Sequence, residues 1–284
     1  MRTYRRLALL FVAAVTLWGL TACVSTWETS APSSTPVALS VAPEVQQTLA
    51  PKGVLRVGVY LGSPTSWVRD ALTGQSHGLA LDLAYALGQQ LGVPVQVVEY
   101  PRVAEVIAAL KNAEIDMTFT NATSIRAKEV DFTPPLIQLE LGLLVPANSH
   151  IHTFADVARS GVRLGVSQGS SSQGVLSARL KQTTLVPVPS LTVAEQMLQR
   201  GELDAFATNK GILFELAEKV PGSQVLKDRW GLENLAIAIP KGREAGLPYL
   251  RDFSQTLKRQ GHLQRMADLA GLRGMAESES QLKE

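Results

Sequence analysis

The chain has 284 residues, which at roughly 150 residues per domain predicts about two globular units. Hydrophobic residues make up 45% of it and charged residues 18%, a composition typical of folded rather than disordered proteins. Its single cysteine excludes a disulfide framework, a zinc site built on cysteines and a paired-cysteine redox site. Subtracting Arg2, Arg5 and Arg6 of the N-terminal segment from 27 basic residues leaves 24 against 25 acidic residues, so we expect no nucleic-acid partner.

The N-terminal segment has the parts of an export signal. Its three arginines precede a mostly apolar run, residues 7–20, that is too short to span a membrane. The run ends in Leu-Thr-Ala-Cys, which resembles the bacterial lipobox, and the cysteine is Cys23. We therefore predict a signal peptide over residues 1–22 and acylation of Cys23, which would anchor the mature protein to a membrane. The alternative is an ordinary signal peptide with a chance cysteine.

Residue 24 bears on which membrane holds the anchor. Val24, rather than Asp, follows the cysteine, which resembles the outer-membrane sorting pattern of Gram-negative bacteria. We therefore expect the periplasmic face of the cell envelope, and the outer membrane if the host is Gram-negative. The following residues up to 52 are rich in Ser, Thr, Pro and Ala without helical or strand periodicity, which predicts a flexible tether over residues 23–52.

Beyond the tether, short apolar strands alternate with helical patterns. A sequence of this kind predicts an α/β fold with two mostly parallel sheets flanked by helices. The predicted strands are 55–60, 95–100, 115–120, 162–167, 203–208 and 235–240, and the main predicted helices are 79–91, 103–110, 191–198 and 249–257. Ligands of such folds bind at the carboxyl ends of the strands.

Two of these strand ends carry polar groups suited to an anion. After the strand 115–120, Thr123 is a candidate N-cap for a short helix whose first turn contains Arg126, a position where a cation opposes the helix dipole. A bound anion would remove that conflict. After the strand 162–167, a glycine-bent, serine-rich turn opens the next helix. The alternative is that both are simple caps and that Arg126 pairs with Glu129 or Asp131.

Six motifs in the order of one family extend over residues 53–274. They are LRVGV at 55–59, GLALDLA at 78–84, Ala109-Leu110 with Ile115-Asp116, RAKEVDFT at 126–133, GVSQGSS at 165–171 and GELDA at 201–205. The sequence resembles the periplasmic solute-binding proteins of the polar amino-acid uptake class. That resemblance implies a two-lobed type II periplasmic-binding-protein fold with two crossover strands, near residues 144–146 and 237–240. It places lobe one at 53–145 plus 239–274, lobe two at 146–238 and a C-terminal tail at 275–284.

The resemblance also implies a ligand site between the lobes. Arg126 matches the arginine that grips a ligand carboxylate, and Trp67 falls near the aromatic residue that packs over the ligand. The other positions implied to bind ligand are Asn121, Thr123, Ser170, Ser171 and Asn209. A small anionic ligand, an ABC permease and the membrane would be the partners of a monomeric protein. No cofactor, metal ion or catalytic residue is implied.

Three departures from the family pattern bear on the ligand. The spacing from Asp116 to Arg126 is two residues shorter, and Ala80 replaces an Asp. The family Asp that binds the ligand α-ammonium corresponds here to Asn209, an uncharged amide that leaves a buried ammonium without a counter-charge. We therefore expect a carboxylate ligand without an amine, or one whose amine is bound elsewhere, for instance by Glu140.

Other functions remain as alternatives. The fold also occurs in a periplasmic cyclohexadienyl dehydratase, but elimination requires an acid or base, and the predicted pocket contains none. A sensor or assembly lipoprotein is a third possibility. His150 and His152 are better interpreted as a solvated pair than as a metal site, because no third ligand is near.

Overall fold

A computed structural model describes residues 41–69 and 73–276 of the chain. The predicted signal peptide, Cys23 and most of the predicted tether lie outside the described residues, as do positions 277–284. No helix within the described ranges combines the length and the apolar character needed to cross a membrane.

The described residues form eight α-helices and twelve strands. The helices are α1 (Pro43–Leu49), α2 (Leu79–Leu91), α3 (Val103–Lys111), α4 (Ser171–Arg179), α5 (Leu191–Gln199), α6 (Lys210–Lys219), α7 (Leu247–Arg259) and α8 (His262–Leu269). The strands are β1 (Leu55–Val59), β2 (Val68–Arg69), β3 (Ser76–His77), β4 (Val95–Glu99), β5 (Thr118–Asn121), β6 (Val130–Phe132), β7 (Ile137–Val145), β8 (Arg163–Ser167), β9 (Thr184–Val188), β10 (Ala205–Asn209), β11 (Gln224–Val225) and β12 (Gly231–Pro240). The α/β alternation predicted from the sequence is confirmed.

Lobe one is built on β1 and its neighbours. Strand β1 pairs in parallel with β4, and a single parallel bridge at Val57 and Met117 connects it to the segment before β5. Helix α2 covers this sheet with its leucine stripe, and its observed bounds match the predicted helix 79–91. The helix begins after Gly78, whose φ of 152° suits glycine and where a Cβ atom would lie 2.2 Å from the carbonyl oxygen of Ser66.

Lobe two contains the parallel strands β10, β8 and β9, with β7 antiparallel to β10. Its strands are buried between two apolar clusters, one with Val166 and Leu176 and one with Phe206 and Leu213. Helix α4 begins just after the carboxyl end of β8, and helix α6 begins directly after that of β10. Ligands of such folds bind at this edge of the sheet.

Two long strands carry the chain between the lobes. Residues Ile137 to Leu141 of β7 pair antiparallel with Leu235 to Gly231 of β12, and through these strands both lobes share one eight-stranded sheet. The predicted crossovers at 144–146 and 237–240 are wrong by several residues. Core packing gives the reason: Leu139 and Leu235 belong to the lobe-one core, whereas Leu141 and Trp230 belong to that of lobe two.

The folded part extends beyond the predicted limits at both ends. Helix α1 lies inside the predicted tether of residues 23–52, and Leu49 is only 2% exposed because it packs into the lobe-one core. At the C-terminal end, the tail predicted from residue 275 begins later. The amide of Ala276 donates to Gln138, and that of Glu140 donates to Gly274, so this segment lines the crossover strand β7.

Candidate functional site

A cavity of about 30 Å³ lies between the two lobes. Its walls come from the strand ends of both lobes and from the crossover strand β12. The polar and charged residues that line it include Tyr60, Thr65, Thr120, Asn121 and Arg126 from lobe one, Ser170, Ser171, Thr208 and Asn209 from lobe two, and Glu233 from β12. Five of the seven predicted binding residues therefore line this cavity, whereas Thr123 lies next to it in contact with Arg126, and Trp67 lies elsewhere.

Arg126 is held at the cavity by the turn that follows β5. It begins a 3-10 helix, Arg126–Lys128, whose N-cap residue is Ile125 rather than the predicted Thr123, and its amide donates to the hydroxyl of Thr123 at 3.2 Å. The Nη1 atom donates to Thr120 Oγ1 at 2.9 Å and to the carbonyl of Asn121 at 3.2 Å. Within the described part of the chain, Nε and Nη2 of Arg126 have no hydrogen-bond acceptor.

The internal pairing considered as an alternative for Arg126 is not observed. Glu129 pairs instead with Lys111 at 2.7 Å, and Asp131 pairs with Lys241. Arg126 is 9% exposed, and burial lowers the pKa of its guanidinium although Glu233 acts in the opposite sense. A buried guanidinium with free donors is suited to bind an anion in the cavity.

Lobe two contributes the start of helix α4. The Ser170 hydroxyl caps the helix by accepting from the amide of Gln173 at 3.1 Å. Ser171 Oγ accepts from Asn121 Nδ2 at 3.2 Å, which is a direct hydrogen bond between the lobes. A second interlobe bond runs from Arg102 Nη1 to the carbonyl of Pro189 at 3.2 Å, so the lobes are in contact around the cavity.

Glu233 lines the cavity and was not predicted from the sequence, as is also true of the less buried Arg102. Glu233 is 7% exposed, and burial raises the pKa of its carboxyl group, against the opposing effects of Arg126, Asn209 and Ser171. The predicted strand started at residue 235, four residues after the observed start of β12 at Gly231, and so left Glu233 out. Side-chain alternation would have found it, because Glu233 falls on the same face as Leu235 and Ile237, both buried.

Asn209 lines the cavity as predicted, and both ends of its side-chain amide have partners within the protein. Its Oδ1 atom caps helix α6 by accepting from the amide of Ile212 at 3.1 Å, and its Nδ2 atom donates to Glu233 Oε2 at 3.0 Å. Ser171 Oγ donates to the other oxygen of Glu233 at 3.3 Å. Both residues therefore orient the carboxylate of Glu233.

Glu140, named above as a candidate partner for a ligand amine, is engaged outside the cavity. It pairs with Lys210 at 2.7 Å and with Arg229 at 3.2 Å. Lys210 is itself 7% exposed and also donates to the carbonyl of Lys227 at 2.7 Å. The expectation that Glu140 binds a ligand amine is therefore wrong.

Trp67, expected from the resemblance to pack over the ligand, is not among the residues that line the cavity. Its ring packs against the lobe-one core and Arg69 stacks over it at 5.3 Å, so it does not line the cavity. Tyr60, at the end of β1, is the aromatic residue that does. Its hydroxyl donates to Ser63 Oγ at 3.3 Å, and burial raises its pKa.

The histidine pair lies away from the cavity. His150 and His152 are both exposed, and the described ranges contain no group of three side chains able to hold a metal ion. The interlobe cavity itself contains one buried guanidinium, that of Arg126, one buried carboxylate, that of Glu233, and several hydroxyl groups.

The chain matches one protein family and is similar in sequence to several known proteins. Residues 55–269 match the family model of bacterial extracellular solute-binding proteins, family 3. The chain is 26% identical over 194 residues to a glutamine-binding protein of Geobacillus stearothermophilus, covering 67% of this chain and 74% of that one. It is also 27% identical over 217 residues to the virulence sensor protein BvgS of Bordetella parapertussis, covering 72% of this chain and 17% of BvgS.

A solved structure agrees with this assignment. The ancestral amino-acid-binding protein AncCDT-1, a precursor of cyclohexadienyl dehydratase, superposes with a TM-score of 0.69 at 26% identity. The alignment covers 78% of this chain and 97% of that one. The two-lobed type II periplasmic-binding-protein fold is confirmed, and the chain belongs to the bacterial extracellular solute-binding proteins of family 3.

Proposed function

We propose that this protein captures a small carboxylate-bearing ligand between its lobes and delivers it to an ABC permease. The observation that carries the proposal is Arg126, a buried guanidinium with two donor groups free of internal partners at the interlobe cavity. Relatives described as binding glutamine or amino acids support the same class of ligand. The protein acts as a monomer without a cofactor.

Ligand capture follows from how the site is divided. Lobe one holds Arg126 with Thr120 and Asn121, so the carboxylate binds there first. Lobe two then closes and adds the hydrogen bond between Asn121 and Ser171. Contacts made only in the closed form shift the open–closed equilibrium toward closure.

A thermal-shift screen over amino acids, keto acids and dicarboxylates tests this function. A ligand at a hundredfold excess over its Kd stabilises the folded state by about 2.7 kcal/mol. We expect at least one compound to raise the Tm of the wild-type protein but not that of an Arg126→Met variant. No shift from any carboxylate, or an equal shift in both proteins, would contradict the proposal.

The anchor is proposed from the sequence alone. Acylation of Cys23 would hold the protein at the periplasmic face of the envelope, in the outer membrane if the host is Gram-negative. Metabolic labelling with an alkyne fatty acid should label the wild-type protein and not a Cys23→Ser variant. Equal labelling of both would overturn the anchor without affecting the ligand site.

Glu233 favours a second candidate, an enzyme of the dehydratase type. A buried carboxyl group with a raised pKa supplies the acid or base that the sequence analysis did not find. AncCDT-1 is described as a precursor of cyclohexadienyl dehydratase, but it is itself an amino-acid-binding protein, so the similarity to it does not favour the enzyme. Incubation with prephenate or arogenate decides between them, since turnover would establish the enzyme and its absence would leave the binding protein.

A further inference from the structure

The last described segment of the chain connects the two lobes in addition to the two crossover strands. Residues 271–276, which we call the C-terminal strap, follow helix α8 of lobe one and lie along β7. The carbonyl of Gly274 accepts from the amide of Glu140 at 2.9 Å. Strand β7 passes from the lobe-one core at Leu139 to the lobe-two core at Leu141, so the strap pairs with β7 where the chain changes lobes.

Two apolar side chains fix the C-terminal strap to lobe one. Leu272 and Met275 are half-buried and pack against the lobe-one core, and Met275 forms an antiparallel bridge with Leu139. The two residues between these anchors, Arg273 and Gly274, contact helix α6 of lobe two. The strap is therefore held by one lobe and touches the other.

Arg273 contacts three side chains of helix α6. Its Nη2 atom pairs with Glu218 at 2.6 Å and with Glu215 at 3.7 Å, and its guanidinium stacks over the ring of Phe214 at 4.7 Å. The N-cap of this helix is Asn209, which lines the interlobe cavity. Contacts of the strap with α6 therefore act on the helix that brings lobe two to the cavity.

The backbones of the strap and of helix α6 approach each other closely at two glycines. A Cβ atom on Gly274 would lie 2.4 Å from the Cβ atom of Lys210, and one on Gly211 would lie 2.8 Å from Leu272 Cδ1. Gly274 also has a φ of 79°, in the left-handed region that favours glycine. The strap thus packs against the first turn of α6 without room for a further side chain.

These contacts depend on the orientation of the lobes. Because both anchors of the strap lie on lobe one, a rotation of lobe two at the hinge separates helix α6 from Arg273 and Gly274. The same structure has the interlobe hydrogen bonds around the cavity, so the contacts of the strap with α6 belong to the closed orientation. Interactions made in only one orientation shift the equilibrium toward it.

We propose that the C-terminal strap is a conformational brace that stabilises the closed orientation of the lobes from outside the ligand cavity. The strap acts before any ligand binds and whichever ligand the cavity takes, so this inference goes beyond the proposed function. It makes the segment after helix α8 a third link between the lobes, next to β7 and β12.

Gly274→Ala tests the strap, and Gly271→Ala is its matched control. Both substitutions add one methyl group at a positive φ, of 79° and 64°, but a Cβ atom on Gly271 meets nothing within 4 Å. Small-angle X-ray scattering of the ligand-free proteins, fitted as mixtures of closed and open molecules, measures the closed fraction. We expect Gly274→Ala to lower the ratio of closed to open molecules at least about fivefold, which corresponds to about 1 kcal/mol, and Gly271→Ala to leave it unchanged.

Arg273→Ala is a second variant, which adds no steric or backbone strain. It should lower the same ratio by a smaller factor, about twofold, because exposed ion pairs contribute little. Its control is Arg265→Ala, since Arg265 is exposed on α8 and donates to the carbonyl of Gln260 within lobe one. Thermal unfolding establishes that the variants are folded, and if Gly274→Ala is not, the comparison of Arg273→Ala with Arg265→Ala is the test.

Two results would overturn the role of the strap. One is a closed fraction in Gly274→Ala and Arg273→Ala equal to that of the wild-type protein. The other is an equal loss of the closed fraction in each variant and its control. Both results would leave the carboxylate site at Arg126 intact, because the thermal-shift screen tests that site independently of the strap.

Discussion

Two regions of this molecule bury an arginine and a carboxylate, with opposite arrangements. In lobe one, Asp116 accepts from Arg56 Nε at 2.8 Å and Nη2 at 2.6 Å, and from Arg243 Nη1 at 2.7 Å. In the interlobe cavity, Arg126 and Glu233 are held apart, each by neutral partners. All four side chains are less than 10% exposed, so exposure alone does not distinguish the two regions.

The difference lies in whether the charges are satisfied within the protein. Burial tends to raise the pKa of Asp116, but the hydrogen bonds from Arg56 and Arg243 outweigh it and lower that pKa. At Glu233 the effect of burial prevails and the pKa is raised. Buried charges that pair with each other, as at Asp116, stabilise the folded chain. Buried charges without an ion-pair partner among the described residues, as at Arg126 and Glu233, leave the cavity able to bind a ligand that pairs with them.

The largest effect is expected on the free energy of unfolding when the buried ion pairs of Asp116 in lobe one are removed. Asp116→Ala leaves the Arg56 and Arg243 guanidinium groups without their carboxylate, and removing one partner of a buried pair typically costs about 3–5 kcal/mol. Urea unfolding should show this loss in the midpoint of the transition. A loss below about 1 kcal/mol would mean that solvent replaces the carboxylate there.

The second largest effect is expected on ligand affinity at the interlobe cavity, where Arg126 has no ion-pair partner in the described part of the chain. Arg126→Met should weaken the best ligand by about 2–5 kcal/mol, or roughly thirtyfold to several thousandfold, without lowering the stability of the ligand-free protein. Calorimetric titration measures the first quantity and thermal unfolding the second. If the variant loses stability but keeps affinity, Arg126 belongs with Arg56 as a structural residue.

The pH dependence of stability should also show that the Glu233 carboxyl group lacks the ion pairs that Asp116 has. Because the pKa of Glu233 is raised in the folded state, the protonated form contributes stability below the unfolded-state pKa, and this is lost as pH rises through the folded-state pKa. The groups around this carboxyl are Arg126, Tyr60, Asn209 and Ser171. Without ligand, Glu233→Gln should therefore have a higher Tm than the wild-type protein near neutral pH.

That difference should shrink as the pH falls toward about 4. Thermal unfolding between about pH 4 and pH 8 tests it. Parallel Tm curves for the two proteins would show that the Glu233 carboxyl does not titrate differently on folding.

A smaller effect is expected from the hydrogen bonds between the lobes. Ser171→Ala removes the bonds to Asn121 and Glu233, and a net loss of about 1 kcal/mol would weaken ligand binding roughly fivefold. Ser177→Ala, on an exposed position of the same helix, is the matched control and should leave affinity unchanged. Equal affinities for both variants would show that Ser171 does not contribute to closure.

The smallest effect is expected at a motif that repeats the satisfied pair in lobe two. Asp204 accepts from the amide of Arg163 at 2.7 Å and from its Nη2 at 2.6 Å, as Asp116 does from Arg56. The side chains of Arg163 and Asp204, however, are 45% and 34% exposed. Solvent screens exposed pairs strongly. Asp204→Ala should thus shift the urea midpoint far less than Asp116→Ala, and a comparable shift would contradict the role given to burial.

Local patterns in the sequence predicted much of the fold. The leucine stripe of 79–91 predicted helix α2 with its observed bounds, and a short helix containing Arg126 was predicted from local residues, although its N-cap is Ile125 and not Thr123. What local patterns could not supply was the pairing of β12 with β7. That pairing fixes where the chain changes lobes and brings Glu233 to Asn209, from which it is separated by 24 residues.

The position of Trp67 is a second feature that local sequence patterns did not predict. A loop aromatic residue near the end of β1 was expected over the ligand, but the described loop turns it onto the lobe-one core and leaves Tyr60 at the cavity. Loop conformation depends on contacts with α2 and the core, and the sequence of the loop does not specify them.

A crystal structure of the protein with its tightest-binding amino acid tests the central claim most directly. The account predicts the carboxylate of that ligand within about 3.2 Å of the Arg126 guanidinium. A direct ion pair between Arg126 and Glu233 with the ligand bound elsewhere would contradict it.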